Sequence, residues 1–190
     1  MKKEFLNRIH IIGSVGSGKT TLAKALSASL HISYYELDNV VRKRSDSGDI
    51  KRTVSERDMY LKQVIHLDRW IIEGVHHTWV SPCFQHADLI LFLDTNYSVR
   101  RFRIIKRFIL QKLGREKANY KPSINILKAL LKYNKVFEEK SKDEIFAMLA
   151  PYKRKLIILH NTKNIQRSFN EFFHLPNSNE HDANNKHKAT

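Results

Sequence analysis

The sequence predicts an α/β fold: a five-stranded parallel sheet with helices on both faces. Two observations carry that reading. Short, continuously apolar runs rich in β-branched residues recur along the chain, and longer segments of helical pattern separate them. Strands so short and so uninterruptedly apolar are expected to be buried on both faces, which parallel sheets require. Ligands on such sheets bind beyond the carboxyl ends of the strands. The places to inspect are therefore those just after Ile12, Leu37, Gly74, Asp94 and His160.

The elements follow in order. Ile9 to Ile12 reads as the first strand, and Thr20 to Leu30 as a helix rich in Ala and Leu with an apolar face at Leu22, Leu26 and Leu30. Ser33 to Leu37 is the second strand, and the polar "RKRSDSGD" after it is a loop by composition. In "SERDMYLKQVIHL", Ser55 and Asp58 are expected to form a capping-box-like helix start. Trp70 to Gly74 is the third strand, Asp88 to Asp94 the fourth and Lys155 to His160 the fifth. From Tyr97 to Leu113, Arg100, Arg103 and Arg107 fall on one side of a helix, and Phe102, Ile105, Ile109 and Leu113 on the other.

Composition narrows the class. The chain has 190 residues, enough for one sizeable core, so residues 1–174 are expected to form one domain. The stretch 175–190 is polar, Asn-rich and nearly free of apolar residues, the composition of a disordered tail. A formal net charge of +15 favours anionic ligands or partners. The single cysteine, Cys83, excludes an internal disulfide and is expected to be an ordinary packed residue. No apolar run approaches the roughly 20 residues that span a bilayer. A cytoplasmic protein without a membrane partner is the expectation.

The most informative stretch is "GSVGSGKT". Gly13, Gly18, Lys19 and Thr20 fit the pattern G-x-x-x-x-G-K-S/T, with Ser14, Val15, Gly16 and Ser17 inside and Thr21 following. Glycines let the backbone turn back on itself, so that successive amides form an anion-sized nest at the start of a helix. The nest from Gly13 to Thr21 is expected to bind a nucleoside triphosphate, ATP with Mg²⁺. Lys19 reaches the terminal phosphates as a point charge and the Thr20 hydroxyl ligates the metal.

With this loop, an acid at Asp38 after the second strand, the "IIEG" strand end and the arginine-bearing "RRFRIIKR", the chain resembles the adenylate-kinase-related group of small P-loop kinases. Within that group it is most similar to the bacterial topology modulation (FlaR-like) proteins. The resemblance covers about Ile9 to Phe173. It implies a three-layer P-loop NTPase fold with a mobile helical lid, here about 100–125. It also implies an acceptor-orienting role for Asp38 and a place near the metal or acceptor for Glu73. Lid arginines, here Arg103 and Arg107, would supply charge around the moving phosphoryl group. The loop from His160 to Phe169 would contact adenine. His76, His77 and Trp79, after the third strand, have two readings, walls of the acceptor pocket or ordinary loop packing, the second favoured; they show no metal-ligand pattern. The chain departs from true adenylate kinases in having "EGVHHTW" where they carry a "DGFPR"-like segment, and in lacking the arginine that grips a nucleoside monophosphate.

The expected activity is transfer of the γ-phosphoryl group of ATP to a small acceptor such as a nucleoside, a nucleotide or a hydroxy compound. Two rivals are a nucleic-acid-associated P-loop protein concerned with DNA topology, and a triphosphate-binding regulator that uses no acceptor. The first is suggested by the basic excess, including Lys128, Lys132 and Lys135 on one side of a helix. Against it, no groove-reading motif or stacking pair of aromatics stands out.

Overall fold

The computed structural model describes residues 6–45, 48–118 and 122–160. Five strands form one parallel sheet: β1 (Arg8–Gly13), β2 (Tyr34–Glu36), β5 (Trp70–Gly74), β6 (Leu89–Leu93) and β7 (Leu156–Leu159). Their spatial order is β2-β5-β1-β6-β7, so the glycine-loop strand lies at the centre. Each strand predicted from the sequence is present: β5 has the expected bounds, β1 is longer by one residue at each end, and β2, β6 and β7 are shorter by one residue at each end.

Burial on both faces explains the uninterrupted apolar runs. In β1, Ile9 and Ile11 join a cluster with Leu22 and Leu26 of α1 (Lys19–Leu30). Ile12 points the other way, into a cluster with Trp70, Ile72, Phe84, Phe92 and Phe137. His10 shares that second side, fully buried with its ring edge-on to Phe84 at 4.9 Å. Among the described residues it has no hydrogen-bond partner at either nitrogen, and burial pushes its pKa down to about 3. Cys83 is buried as expected, its thiol pushed up to about 12 by the same cause.

Between β2 and β5 the chain adds the short α2 (Leu37–Val41), a two-residue antiparallel pair, β3 (Arg42–Lys43) with β4 (Ile50–Lys51), and α3 (Val54–Ile65). The expected capping box lies two residues earlier than Ser55 and Asp58. Thr53 caps α3, its hydroxyl accepting from the Glu56 amide at 3.2 Å while the Glu56 carboxylate accepts from the Thr53 amide at 2.7 Å. Glutamate is long enough to reach back over the first turn. Asp58 instead pairs with its neighbour Arg57.

After β5 come α4 (Ser81–His86), β6, and α5 (Tyr97–Lys112), which packs on α6 (Ile124–Val136). A π-helical turn, Phe137–Ser141, then leads into α7 (Lys142–Leu149). The turn seats Phe137 under Phe92 and brings Glu138 onto Arg100, whose guanidinium also lies 4.8 Å from the Phe137 ring. The two sides expected of α5 are present, but the core takes the polar one. Arg100, Ile104 and Gln111 are buried, whereas Phe102, Ile109 and Leu113 are exposed. The stretch 175–190 and the expected adenine loop beyond His160 lie outside the described residues.

Candidate active site

The glycine loop joins β1 to α1 at the carboxyl edge of the sheet, where strand order reverses around the central strand. Its backbone is held from outside. Arg103 of α5 donates to the carbonyls of Gly16 and Ser17 at 3.3 and 3.1 Å, and Thr95 donates to that of Ser17 at 3.0 Å. In a trans peptide the amide points opposite its carbonyl, so tethering the Ser17 carbonyl outward turns the Gly18 amide inward. Gly16 and Gly18 have φ of 74° and 103°, a region where side-chain-bearing residues are strained. At Gly16 a β-carbon would also lie 2.9 Å from the Arg100 carbonyl, so α5 and the loop fit only without one.

Inside the loop, the buried Lys19 donates to the Ser14 carbonyl at 2.9 Å. Burial lowers its pKa, against the opposing pull of Glu73 and then Asp38. The buried hydroxyls of Ser14 and Ser17 have no protein partner among the described residues, which suits a loop whose acceptor is to be supplied by phosphate oxygens. Thr20 donates to the Glu73 carboxylate at 2.5 Å. Glu73 is next to last in β5, in register with Glu36 and Ile11, and burial raises its pKa despite Lys19 and the Thr20 bond. A hydroxyl and a carboxylate beside a phosphate nest are the hard oxygen donors that Mg²⁺ takes.

Asp38 lies in the first turn of α2, exposed at the strand-end level. It does not cap the helix; its carboxylate is 3.5 Å from Nε2 of His76. The His76 contact is the main cause of its lowered pKa, with Lys19 and Arg44 adding to it. His76 in turn faces Trp79 at 5.3 Å, and Arg57 lies over the Trp79 ring at 4.3 Å. Tyr133 of α6 is near enough to feel the Asp38 charge, which together with burial, the larger cause, pushes its phenol up. His77 is turned away, toward Glu144 at 3.4 Å.

The sequence-predicted residues thus fall into three groups. Gly13 to Thr21 and Glu73 meet through the Thr20–Glu73 hydrogen bond, and the charge of Lys19 is felt alongside those of Glu73 and Asp38. Arg103 joins them through its hold on the loop. Arg107 stands further out, paired with Glu116 at 3.0 Å yet near enough to lower the Lys19 pKa. Sequence reasoning missed Thr95 and Tyr133 as neighbours of the site, and read His76 as packing. The position of His76 three residues past Glu73 was the available signal. Asp94, at another strand end, is engaged by Lys142 at 2.7 Å and His160 at 3.3 Å.

Comparison with known proteins agrees at the level of the fold. No family model matches the chain. The uncharacterized protein YqaC of Bacillus subtilis (strain 168) is 32% identical over 114 residues, 57% of this chain and 60% of that protein. The match therefore spans less than two thirds of the relative. Among solved structures, the chain is similar to a shikimate kinase from Bacteroides thetaiotaomicron, with a TM-score of 0.50 and 16% identity over 90% of this chain and 99% of that one. An unliganded sugar kinase from Janibacter sp. HTCC2649 gives a TM-score of 0.49 at 16% identity, covering 90% of this chain and 95% of that one. The chain has a three-layer P-loop fold, with a five-stranded parallel sheet flanked by helices.

Proposed function

We propose that this protein is an ATP-dependent phosphotransferase acting on a small acceptor, a member of the topology-modulation group within the adenylate-kinase-related P-loop kinases. The observation that carries the reading is the charge set around Lys19: this buried cation feels both Glu73, to which Thr20 donates a hydrogen bond, and the acceptor-side carboxylate Asp38. A simple anion-binding turn needs no acid on its far side.

In this reading the amides from Gly13 to Thr21 cradle the phosphates and Lys19 stands at their terminal end. Thr20 and Glu73 hold Mg²⁺, which when bound neutralises phosphate charge. The acceptor hydroxyl oxygen forms a bond to the γ-phosphorus as the bond to the ADP oxygen breaks, and the hydroxyl proton passes to Asp38. The lowered pKa makes Asp38 a weak base, suited to orienting the hydroxyl and receiving its proton late in a loose transition state. His76 fixes the carboxylate, and Trp79 and Tyr133 wall the acceptor side. Arg103 and Arg107 place charge on the outer side of the moving group, Arg103 from its seat on the loop. The stretch from about 100 to 125, with α5 and the start of α6, serves as the lid.

The test is a screen of nucleosides, nucleotides and small hydroxy acids with γ-labelled ATP beside Lys19→Ala. Acceptor-dependent transfer that the substitution abolishes supports the reading. Label released only as free phosphate with every acceptor contradicts it. A nucleic-acid-associated role has one observation in its favour, the exposed Lys128, Lys132 and Lys135 of α6. Duplex binding that falls steeply with salt would favour that role over the kinase.

A further inference from the structure

α5 is an amphipathic helix mounted in reverse. At 3.6 residues per turn, Val99, Phe102, Lys106, Ile109 and Leu113 fall within an arc of about 80°, roughly opposite the arc of Arg100, Ile104 and Gln111. The core takes the second set. The first is left outside, with Phe102 66% exposed, Leu113 61%, Ile109 49% and Val99 42%. From Val99 to Leu113 the ridge runs about 21 Å along one helix. Lys106 lies within it, Lys112 and then Arg101 on its flank about 60° and 80° from its edge, and Arg115 just past the helix end, all exposed and without an ion pair among the described residues.

The inward polar face has an evident cause: it must supply Arg103 to the loop and Arg100 to Glu138. That does not explain why the outward face is apolar. Isolated exposed apolar residues are ordinary, but four in line along one helix, with a single lysine among them, mark an interaction surface. Its shape and charge select the occupant. A convex ridge has no groove to receive the anchor side chains of a peptide or a facing helix. A second copy would set its own Arg101, Lys106 and Lys112 against these, on chains that each carry +15. An anionic lipid surface meets neither objection. It deforms around protruding side chains, and its phosphates pair with the flanking cations. The expectation of no membrane partner rested on spanning segments; among the described residues no helix is long and apolar enough to cross a membrane, which leaves open one lying flat on it.

We infer that the outward ridge of α5 docks the protein on anionic membrane surfaces, with Phe102, Ile109 and Leu113 inserted at headgroup level and Arg101, Lys106 and Lys112 on lipid phosphates. Because α5 also holds the glycine loop through Arg103, docking places the catalytic edge of the sheet beside the membrane.

The test is flotation of the full chain with vesicles of phosphatidylcholine alone and with one lipid in three replaced by phosphatidylglycerol, at physiological salt. Wild type is expected to float with the anionic vesicles only. The double variant Phe102→Ser/Leu113→Ser keeps every charge and is expected to partition at least tenfold less, with an unchanged urea midpoint. In Phe102→Trp the indole emission is expected to shift to the blue on the same vesicles. Equal flotation of wild type and double variant would reduce the effect to general cation attraction and overturn the inference. So would no flotation at all. A dimer in light scattering that the double variant converts to monomer would assign the ridge to a second copy instead.

Discussion

The glycine loop is gripped from two sides that obey opposite rules. On one side, β1 and α1 bury their apolar residues and hold the loop by covalent continuity. On the other, α5 buries Arg100 and Gln111 beside Ile104, grips the loop through Arg103 and leaves Phe102, Ile109 and Leu113 outside. The first side is built by the ordinary drive to remove apolar surface from water. The second rests on a few buried polar contacts, Arg100 on Glu138 above all, and it is correspondingly more exposed to single substitutions. An apolar stripe therefore tells which residues share a helix face; only the packing tells whether that face is the inside.

The largest effect expected on the β1 side concerns acid. His10 is buried neutral with a pKa near 3, so below the ordinary histidine value of 6.5 the unfolded chain binds a proton that the folded chain refuses. The stability this lends is complete above about pH 6.5 and is lost as pH falls toward 3, amounting to about 3 kcal/mol by pH 4. Urea midpoints of wild type and His10→Leu measured from pH 7 to pH 4 should diverge in that direction. Parallel curves would show that the imidazole is not the acid-sensitive group of β1.

On the α5 side, Glu138→Gln leaves the Arg100 guanidinium buried without its counter-charge. Breaking such a pair from one side should cost about 2 kcal/mol, toward the lower end because Glu138 is partly exposed. The double variant Arg100→Met/Glu138→Leu should recover most of it, since an apolar replacement of matching size leaves no charge to desolvate. A double variant less stable than Glu138→Gln would mean that the ion pair, not shape, holds α5 in place.

The smallest effect belongs to neither side and serves as the scale. Thr53→Ala removes the hydroxyl half of the α3 capping box and should cost about 1 kcal/mol in the same urea experiment. Ser55→Ala, at the position that sequence alone favoured, should change the midpoint by less than half as much.

How much of this was legible in the sequence follows from the same contrast. The five strands could be read because burial on both faces writes a continuous apolar run, and the loop because its backbone geometry demands particular residues at fixed spacing. The β3–β4 pair could not, since two-residue exposed strands leave no pattern. The contact of His76 with Asp38 was hidden because it joins residues 38 apart through the register of β2 on β5. The burial of Arg100 depended on a π-helical turn that brings Glu138 within reach, a feature with no sequence signature of its own.

The central claim is that the tethered loop between β1 and α1 clasps a magnesium–triphosphate group, with Lys19 at its far end. Calorimetric titration of wild type and Lys19→Ala with ATP in excess Mg²⁺ tests it most directly. The account predicts one saturable site on the wild type and affinity at least a hundredfold weaker in the variant, about 3 kcal/mol. Equal affinity in the two, or no binding by the wild type, would contradict it.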